Sequence, residues 1–541
     1  MSKRHLLLLA LPMLLASCGG GGQSSSAQET EEQEPIVLLD PSAPDYVYSG
    51  NDSCETSYEI FVGSFADSND DGVGDLKGIE EHLGYLQELG VKNLWLTPVH
   101  PSPTYHKYDV NDYYAVDPSF GTVEDFVSLT SKAKEKGMRV FMDMVFNHSC
   151  LQNSWFRKAC DDLFNGNEGE DSYADLYSMS LNADEVPNTK YSYSYQGQTI
   201  WYEGNFSSNM PEFNLDSPIA RKLHKEIMGF WLDKGAEGFR FDGVAYYYYG
   251  NEKRNAEYTR YLSEAAKSLY EDVYLVAEYW LDEQTYLNTI AGAGMTAFNF
   301  ATCKSKPGYN ADVATSSESG RRYAAAVANA QKGFLEASEG KIQPSFFLTN
   351  HDMDRWAGNK TPERVKAIAS LNILTPGTPY LYYGEEIGLL GSRATAATDA
   401  NRRLPMQWVS NADQDTARTV ASSESDYKGP QTSAGALEDI ASDTTLTGFY
   451  KKLLHFRASH EDLKKGSYVN ATPQDAPIAA FKVFHQGKQA FLVTNVSQDA
   501  IEVTVPSGLK GDFSLSQGTS SLEGATLKLA AYSTAYLTLS A

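Results

Sequence analysis

Three carboxylates close apolar runs in this chain. Asp242 ends "GFRFD" (238–242), Glu278 ends "VYLVAE" (273–278), and Asp352 follows "SFFLTN" (345–350) and His351. In the first run Phe239 and Phe241 alternate with Arg240 and Asp242, so in a strand the two charged side chains share a face. A single acid at a strand end reads as a cap or an ion-pair partner. Three of them, each behind an apolar run and accompanied by Arg or His, read as one constellation. Two carboxylates roughly 5–5.5 Å apart are what retaining glycoside hydrolysis uses, one attacking the sugar and one protonating the departing oxygen. The acid must stay protonated near neutrality, so its surroundings must differ from those of the nucleophile. Directly behind Asp242 come Ala245 and four consecutive tyrosines, Tyr246 to Tyr249.

Groups so far apart in sequence meet only if a regular scaffold brings strand ends together. Short apolar runs predict strands at 58–65, 91–98, 138–147, 238–242, 273–278, 296–300, 345–350 and 379–386, with helical spacing between them, as in "DLKGIEEHLGYLQELG" and "VEDFVSLTSKAKEKG". Eight buried strands alternating with helices predict an α/β fold, a (β/α)8 TIM barrel, whose active site lies at the C-terminal ends of the strands. The third strand then contributes Asp143, Asn147 and His148, and the seventh Asn350, His351 and Asp352. The Ser-, Tyr- and Asn-rich stretch after the third strand is too long for a connection and predicts an excursion domain over the barrel mouth. Past "LTGFYKKLLHFRASH" the pattern changes to short β-branched runs such as "AAFKVFHQ", "QAFLVTNV" and "IEVTVP", which predict a C-terminal antiparallel β-sandwich.

The 541 residues are 42% hydrophobic and 12% aromatic, enough for a large core and more than one domain. With 70 acidic against 45 basic residues the formal charge is −25, which disfavours nucleic acid as a partner and costs a neutral substrate nothing. Lys3 and Arg4 precede an apolar run from Leu6 to Leu15, a signal-peptide core too short to span a bilayer as a mature helix. Next come "LASC", ending at Cys18, and "GGGGQSSSAQETEEQE". These resemble a bacterial lipoprotein cleavage site with Cys18 as the lipidated residue, and they predict an exported protein held at a membrane, on the periplasmic side or the cell surface. The expected divisions are a signal peptide (1–17), a disordered tether (18–50), the barrel (51–148 and 215–460), the excursion domain (149–214) and the sandwich (461–541). In an oxidising compartment Cys54, Cys150, Cys160 and Cys303 permit three disulfide pairings, with Cys150–Cys160 preferred for its short loop.

"DSNDDGVGD" (67–75) places oxygen ligands at Asp67, Asn69, Asp71 and Asp75, with the Val73 carbonyl between them. Hard oxygens on a glycine-flexed loop suit Ca²⁺, although Gly78 stands where an EF-hand carries its bidentate Glu.

In order and spacing, "DMVFNH" (143–148), "GFRFD" (238–242), "VAEYW" (276–280) and "FLTNHD" (347–352) resemble the four ordered sequence regions of the α-amylase family, glycoside hydrolase family 13. "YHKYDVNDYYAVDPSFGT" (105–122), "MPEFN" (210–214) and "LPMQW" (404–408) are similar to further family segments, so the resemblance runs from about Tyr58 to the chain end. It implies Asp242 as nucleophile, Glu278 as general acid/base and Asp352 as stabiliser of the oxocarbenium-like transition state. It implies that Arg240 orients Asp242 and favours its ionised form. His148 and His351 would bond hydroxyls of the sugar being cleaved, and Tyr108 would stack on its ring. A calcium loop after the first strand also occurs in the family, and a second calcium held partly by Asn147 occurs in many α-amylases, with partners in the excursion domain that the sequence does not identify. Many α-amylases carry Lys-His where this chain has Ala245 and Tyr246, and "MPEFN" lies nearer the neopullulanase-like pattern. The expected activity is retaining hydrolysis of α-1,4 bonds in starch or maltooligosaccharides by a monomeric enzyme. An α-glucosidase or neopullulanase-like enzyme is the alternative, and a non-catalytic glycan-binding lipoprotein the remote one. Tyr246 is expected to offer an aromatic platform to the leaving group.

Overall fold

The structure is a computed structural model. It describes residues 35–539 apart from 168, 170–171, 282, 304–309, 359, 394–397 and 411–423. The expected signal peptide and Cys18 lie outside the described residues.

The chain enters through a short strand, β1 (Ile36–Val37), and then builds the barrel strands β2 (Ser57–Ile60), β3 (Asn93–Leu96) and β4 (Arg139–Met144). The excursion follows, with a helix over Ser154–Asn165 and the strands β5 (Met179–Ser180), β6 (Lys190–Tyr195) and β7 (Gln198–Glu203), which form an antiparallel sheet ordered β5-β7-β6. The barrel resumes with β8 (Gly238–Phe241), β9 (Tyr274–Ala277), β10 (Thr296–Ala297) and β11 (Tyr380–Tyr382). These strands form a parallel sheet in the order β10-β9-β8-β4-β3-β2-β11. The remaining place in the ring is taken by the segment around 345–347, which makes one parallel bridge on each side, Phe298 to Ser345 and Phe347 to Tyr380. Asn299 N donates to Ser345 O at 2.8 Å and Tyr380 N to Phe346 O at 2.7 Å, so the eight-fold ring closes. The seventh expected strand is thus present as bridges only, because β10 on one side is two residues long and leaves little ladder to join.

Two other strands are shorter than their apolar runs. After Ile60 the chain curls into a helical turn over Val62–Phe65, and after Tyr382 the left-handed Gly384 (φ 81°) starts a turn over Glu385–Ile387. Alternation along the strands divides the core in two. Leu94 and Leu96 belong to the large cluster shared with the helices, whereas Trp95, Phe141, Val276, Phe298, Phe347 and Tyr380 form a separate cluster that fills the barrel. Local signals seat the helices around it: Thr122 and Asp125 form a capping box on Val123–Glu135, and Pro218 opens the helix Pro218–Asp233.

The C-terminal part is a sandwich. The strands β12 (Ser467–Asn470), β13 (Ile478–His485), β14 (Lys488–Asn495), β15 (Ile501–Thr504), β16 (Leu509–Asp512), β17 (Ser521–Glu523), β18 (Thr526–Leu529) and β19 (Thr534–Leu539) form sheets ordered β12-β13-β14-β19-β16 and β1-β15-β18-β17. A core including Leu38, Phe491, Val493, Val503, Leu527 and Leu537 lies between them. The presence of β1 corrects the expected tether: Ile36 and Val37 pair in parallel with Val503 and Thr504, Leu38 is buried, and residues 36–50 belong to the folded body.

The preferred Cys150–Cys160 disulfide is also corrected. Cys54, Cys150 and Cys160 are free, buried thiols. The Cys150 sulfur turns back to accept from Gln152 N within its own loop, and Cys160 points from its helix into the core, where burial pushes its thiol up to about 12. Among the described residues no helix is long and apolar enough to cross a membrane.

Candidate active site

The three carboxylates meet at the C-terminal rim of the ring. Asp242 and Glu278 are the residues directly after β8 and β9, and their amides continue the ladder, Asp242 N to Met144 O (3.0 Å) and Glu278 N to Phe241 O (2.9 Å). Both side chains therefore project from a rigid rim. Gly243 then turns the chain with φ 55°, and its N–H donates to Glu278 Oε2 at 2.9 Å. A Cβ at Gly243 would stand 3.1 Å from the Phe206 ring, so both the backbone conformation and the space select glycine.

Arg240, wholly buried, ties the site together. Its NH1 lies 2.7 Å from Asp143 Oδ1 and 2.6 Å from Asp242 Oδ1, and its NH2 lies 2.8 Å from Glu278 Oε1. The guanidinium carbon stands 5.1 Å from the centre of the Trp95 ring and 5.7 Å from that of Tyr108. Burial disfavours the cation, yet Asp143 and Glu278 raise Arg240 well above its ordinary value. Burial also pushes Glu278 up to about 7, against the pull of Arg240 and with the help of Asp242 and Asp352. Asp143 is raised to about 7 by burial in the same way, with Arg240 opposing and Asp242 adding.

Asp352 sits opposite, between His351 Nε2 (3.1 Å from Oδ2) and Arg403 NH2 (2.7 Å from Oδ1). Burial works against its charge, but the His351 ring and the guanidinium outweigh it and hold the carboxyl far below the usual range. The three acids thus fall into two environments. Glu278 is kept ready to hold a proton and Asp352 is kept ionised.

Tyr108 lies against His351, ring centres 5.4 Å apart and nearly parallel, and its hydroxyl reaches Asp143 Oδ2 (2.9 Å) and His351 Nε2 (2.8 Å). His351 is fully buried with both ring nitrogens engaged inside the protein. His148 is buried as well, its Nε2 facing Tyr108 O at 3.1 Å, and burial lowers its basicity. Tyr246 lines the cleft, 4.5 Å from Phe206 of the excursion and 5.4 Å from Tyr249, ring centre to ring centre. Tyr247 is buried, and Tyr248 bonds Asp216, so those two belong to packing.

The cleft these residues share holds about 660 Å³. Its walls include residues that sequence reasoning did not single out: Tyr105, His106, Phe206, Met210, Trp280 and Arg403. Trp280 was within reach, since "VAEYW" places it two residues past Glu278, whereas Arg403 arrives from a loop with no local signal of its target. Glu59 was missed as well; it alternates with apolar neighbours in "YEIF", and its carboxylate meets His351 Nδ1 at 2.5 Å.

The oxygen-rich loop lies apart from this cluster. Asp67 Oδ1 accepts from the amides of Asn69 (3.1 Å) and Asp70 (2.8 Å), Asp67 Oδ2 from Gly72 N (2.7 Å), Asn69 Oδ1 from Asp71 N (2.9 Å) and Asp71 Oδ1 from Val73 N (2.8 Å). The left-handed Asp70 and Gly72 curl the loop. Asp67 Oδ2, Asn69 Oδ1 and Asp71 Oδ1 accept once each and keep a second lone pair, so Asp67, Asn69, Asp71 and the Val73 carbonyl fit a hard cation. Asp75 fits least, because it caps the following helix through Gly78 N and accepts twice from Ser68. Among the described residues no three His, Cys, Asp or Glu side chains cluster to hold a metal. Asn147, for its part, bonds Glu212 beside Glu203; both acids are buried, no described basic side chain forms an ion pair with either, and burial pushes Glu212 up to about 8. Asn205 donates to both, through its N (2.7 Å) and Nδ2 (2.9 Å) to Glu212 and through Nδ2 (2.9 Å) to Glu203.

Comparison with known proteins agrees with this geometry. Residues 59–466 match the family description "Alpha amylase, catalytic domain". The chain is 31% identical over 446 residues to Alpha-amylase 3 of Dictyoglomus thermophilum, covering 82% of this chain and 84% of that one. It is 28% identical to Oligo-1,6-glucosidase of Parageobacillus thermoglucosidasius, covering 82% and 89%. Among solved structures, Eubacterium rectale Amy13B superposes with a TM-score of 0.81 at 28% identity, covering 94% of this chain and all of that one. The chain belongs to the α-amylase family of glycoside hydrolases.

Proposed function

We propose that the protein hydrolyses α-1,4-glucosidic bonds of starch and maltooligosaccharides with retention of configuration. The observation that carries this reading is the single guanidinium shared by Asp242 (2.6 Å) and Glu278 (2.8 Å). It holds both carboxylates on one cation, the kind of juxtaposition a double displacement over roughly 5–5.5 Å calls for. Asp242 attacks the anomeric carbon as the bond to the leaving oxygen breaks, and Glu278 gives that oxygen its proton. The Glu278 carboxylate then takes a proton from the water that attacks the glycosyl ester, which frees Asp242. Asp352, kept anionic by His351 and Arg403, stabilises the positive charge that develops on the ring. Tyr108 and His148 line the cleft where the sugar being cleaved would lie, His351, expected to bond its hydroxyls, is instead fully buried and acts behind Tyr108 and Asp352, and Tyr246 beside Phe206 supplies an apolar face to the leaving group.

A second reading, an α-glucosidase or neopullulanase-like enzyme on short α-glucans, is favoured by Ala245 and Tyr246 where many α-amylases carry Lys-His. Incubating the purified protein with amylose, maltotriose and pullulan and resolving the products over time separates the two. Random shortening of amylose supports the first, and release of glucose from chain ends or cleavage of pullulan supports the second. No sugar released from any of the three overturns both.

The same reading gives the protein Ca²⁺ on Asp67, Asn69, Asp71 and the Val73 carbonyl, with Asp75 behind them, and a second Ca²⁺ at Asn147, Glu203 and Glu212. Each ion would tie a loop down; neither takes part in the displacement. The sequence around Cys18, behind the apolar run Leu6–Leu15, supports lipidation of an exported enzyme. Metabolic labelling with a fatty acid, lost on Cys18→Ser, tests that anchor.

A further inference from the structure

Glu59 is a buried acid behind the cleft to which the displacement gives no role. It lies on β2, paired with Trp95 of β3 on one side and Tyr382 of β11 on the other, and is 1% exposed. A carboxylate buried this deeply is costly unless a cation answers it. Among the described residues its one ion-pair partner is His351: Glu59 Oε1 lies 2.5 Å from His351 Nδ1 and 3.3 Å from the His351 amide. On the far side of the ring, Nε2 faces Tyr108 OH at 2.8 Å and Asp352 Oδ2 at 3.1 Å. Acceptors therefore stand at both nitrogens, an arrangement that suits a ring carrying both protons.

That protonation state fixes the direction of a whole chain of hydrogen bonds. With Nε2 donating, Tyr108 OH accepts from it and spends its own proton on Asp143 Oδ2 (2.9 Å), whose other oxygen takes Arg240 NH1 (2.7 Å). Arg240 in turn holds Asp242 and Glu278. Were His351 neutral with its proton on Nδ1, the Nε2 lone pair would face the Asp352 carboxylate, and Tyr108 would turn its proton from Asp143 to the imidazole.

We propose that Glu59 is a positioning residue for the reaction, fixing the orientation and charge of His351, which in turn orients Tyr108 and keeps Asp352 anionic at the cleft. The proposal rests on the α-glucan hydrolase reading. The other charged and titratable groups around the ring are His106 and Tyr108 from the loop after β3, Asp143 on β4, Arg240 on β8, and Arg403, whose Nε donates to His351 O at 3.0 Å. Burial disfavours a charged ring; Asp352 and Glu59 outweigh it and push His351 up to about 10.

Glu59→Gln is the test, because it keeps shape and an acceptor oxygen while removing the charge. Nitrogen NMR of histidine-labelled enzyme reads the ring directly. In the wild type His351 stays an imidazolium between about pH 5 and 8, and in Glu59→Gln it loses its proton within that window. In parallel, kcat of the variant on maltotriose approaches the wild-type value at the acid end. The ratio then falls by roughly tenfold per pH unit once the variant's ring is neutral, with KM changed little. A ratio constant across pH, or a ring still charged in Glu59→Gln, overturns the proposal, since a merely structural role costs the same at every pH. If Glu59→Gln does not fold, the titration is run on Glu59→Asp, which retains the charge and is expected to keep the ring protonated; a ring that titrates normally there also overturns it. A wild type inactive on every α-glucan sinks the hydrolase reading but leaves the titration to judge Glu59.

Discussion

Raising the pH tests the assignment of Glu278 most directly. The general acid works only while protonated, and burial among Asp242 and Asp352 raises Glu278 to about 7 against the pull of Arg240. One pH unit above that value about one-tenth of the enzyme carries the proton, and two units above about one-hundredth. kcat/KM on maltotriose is therefore expected to be level below about pH 6.5 and to fall about tenfold per unit on the alkaline side of 7. Asp143, also raised to about 7, shares Arg240 with Glu278 but gives no proton to the substrate, so its titration shifts the midpoint of the limb while the limb itself belongs to Glu278. Stability moves the same way. A carboxyl whose folded value lies above its unfolded one keeps its proton longer in the folded state, so from about 4 to about 7 its contribution falls as pH rises. The assay must accordingly be a short initial-rate measurement by product chromatography, with a melting curve at each pH. Glu278→Gln, assayed on an activated aryl maltoside that needs little protonation, should lose the alkaline limb. A wild-type profile flat from pH 6 to about pH 9, or a limb that survives in Glu278→Gln, would refute the reasoning.

Asp242→Asn removes the nucleophile but little volume, so turnover should fall at least a thousandfold while calorimetry still detects maltooligosaccharide binding; residual activity within about tenfold of wild type excludes the role. Tyr246→Ala should weaken the use of maltotetraose by roughly 1 kcal/mol and spare a short aryl maltoside, and equal losses on both would make Tyr246 a support for the strand end rather than for the glucan. Chelation should lower the melting temperature if the ions bind only the folded chain, with Asp71→Ala and Glu212→Gln each removing part of the response; an unchanged melting temperature under excess chelator counts against both sites.

What was legible in the sequence was whatever sits inside a local pattern. The catalytic acids follow apolar runs, and the helix and strand periods predict the barrel around them. Glu59 and Arg403 were hidden because their meaning lies across the ring: Glu59 meets His351, 292 positions away, and Arg403 meets Asp352 from an irregular loop. The seventh strand was overestimated because an apolar run says that a segment is buried, not that its neighbours are long enough to form a ladder. The expected disulfide failed for a similar reason, since an even count of cysteines carries no information on which way Cys150 and Cys160 face. Ile36 and Val37 are too few to carry a period, and only the exposed edge of β15 makes them a strand.

That two-residue strand has a mechanical consequence. Ile36 and Val37 run parallel to β15, followed by Leu38 N donating to Thr504 O and Leu39 N to Ala471 O. Tension arriving at Pro35 is therefore passed to the body through these backbone hydrogen bonds, which share the load where it runs along the strand axis. The Lys482–Asp40 ion pair and the buried Leu38 anchor the next few residues. A pull entering at Pro35 is taken up by the sandwich, whose core is separate from the one that fills the barrel behind Asp242, Glu278 and Asp352.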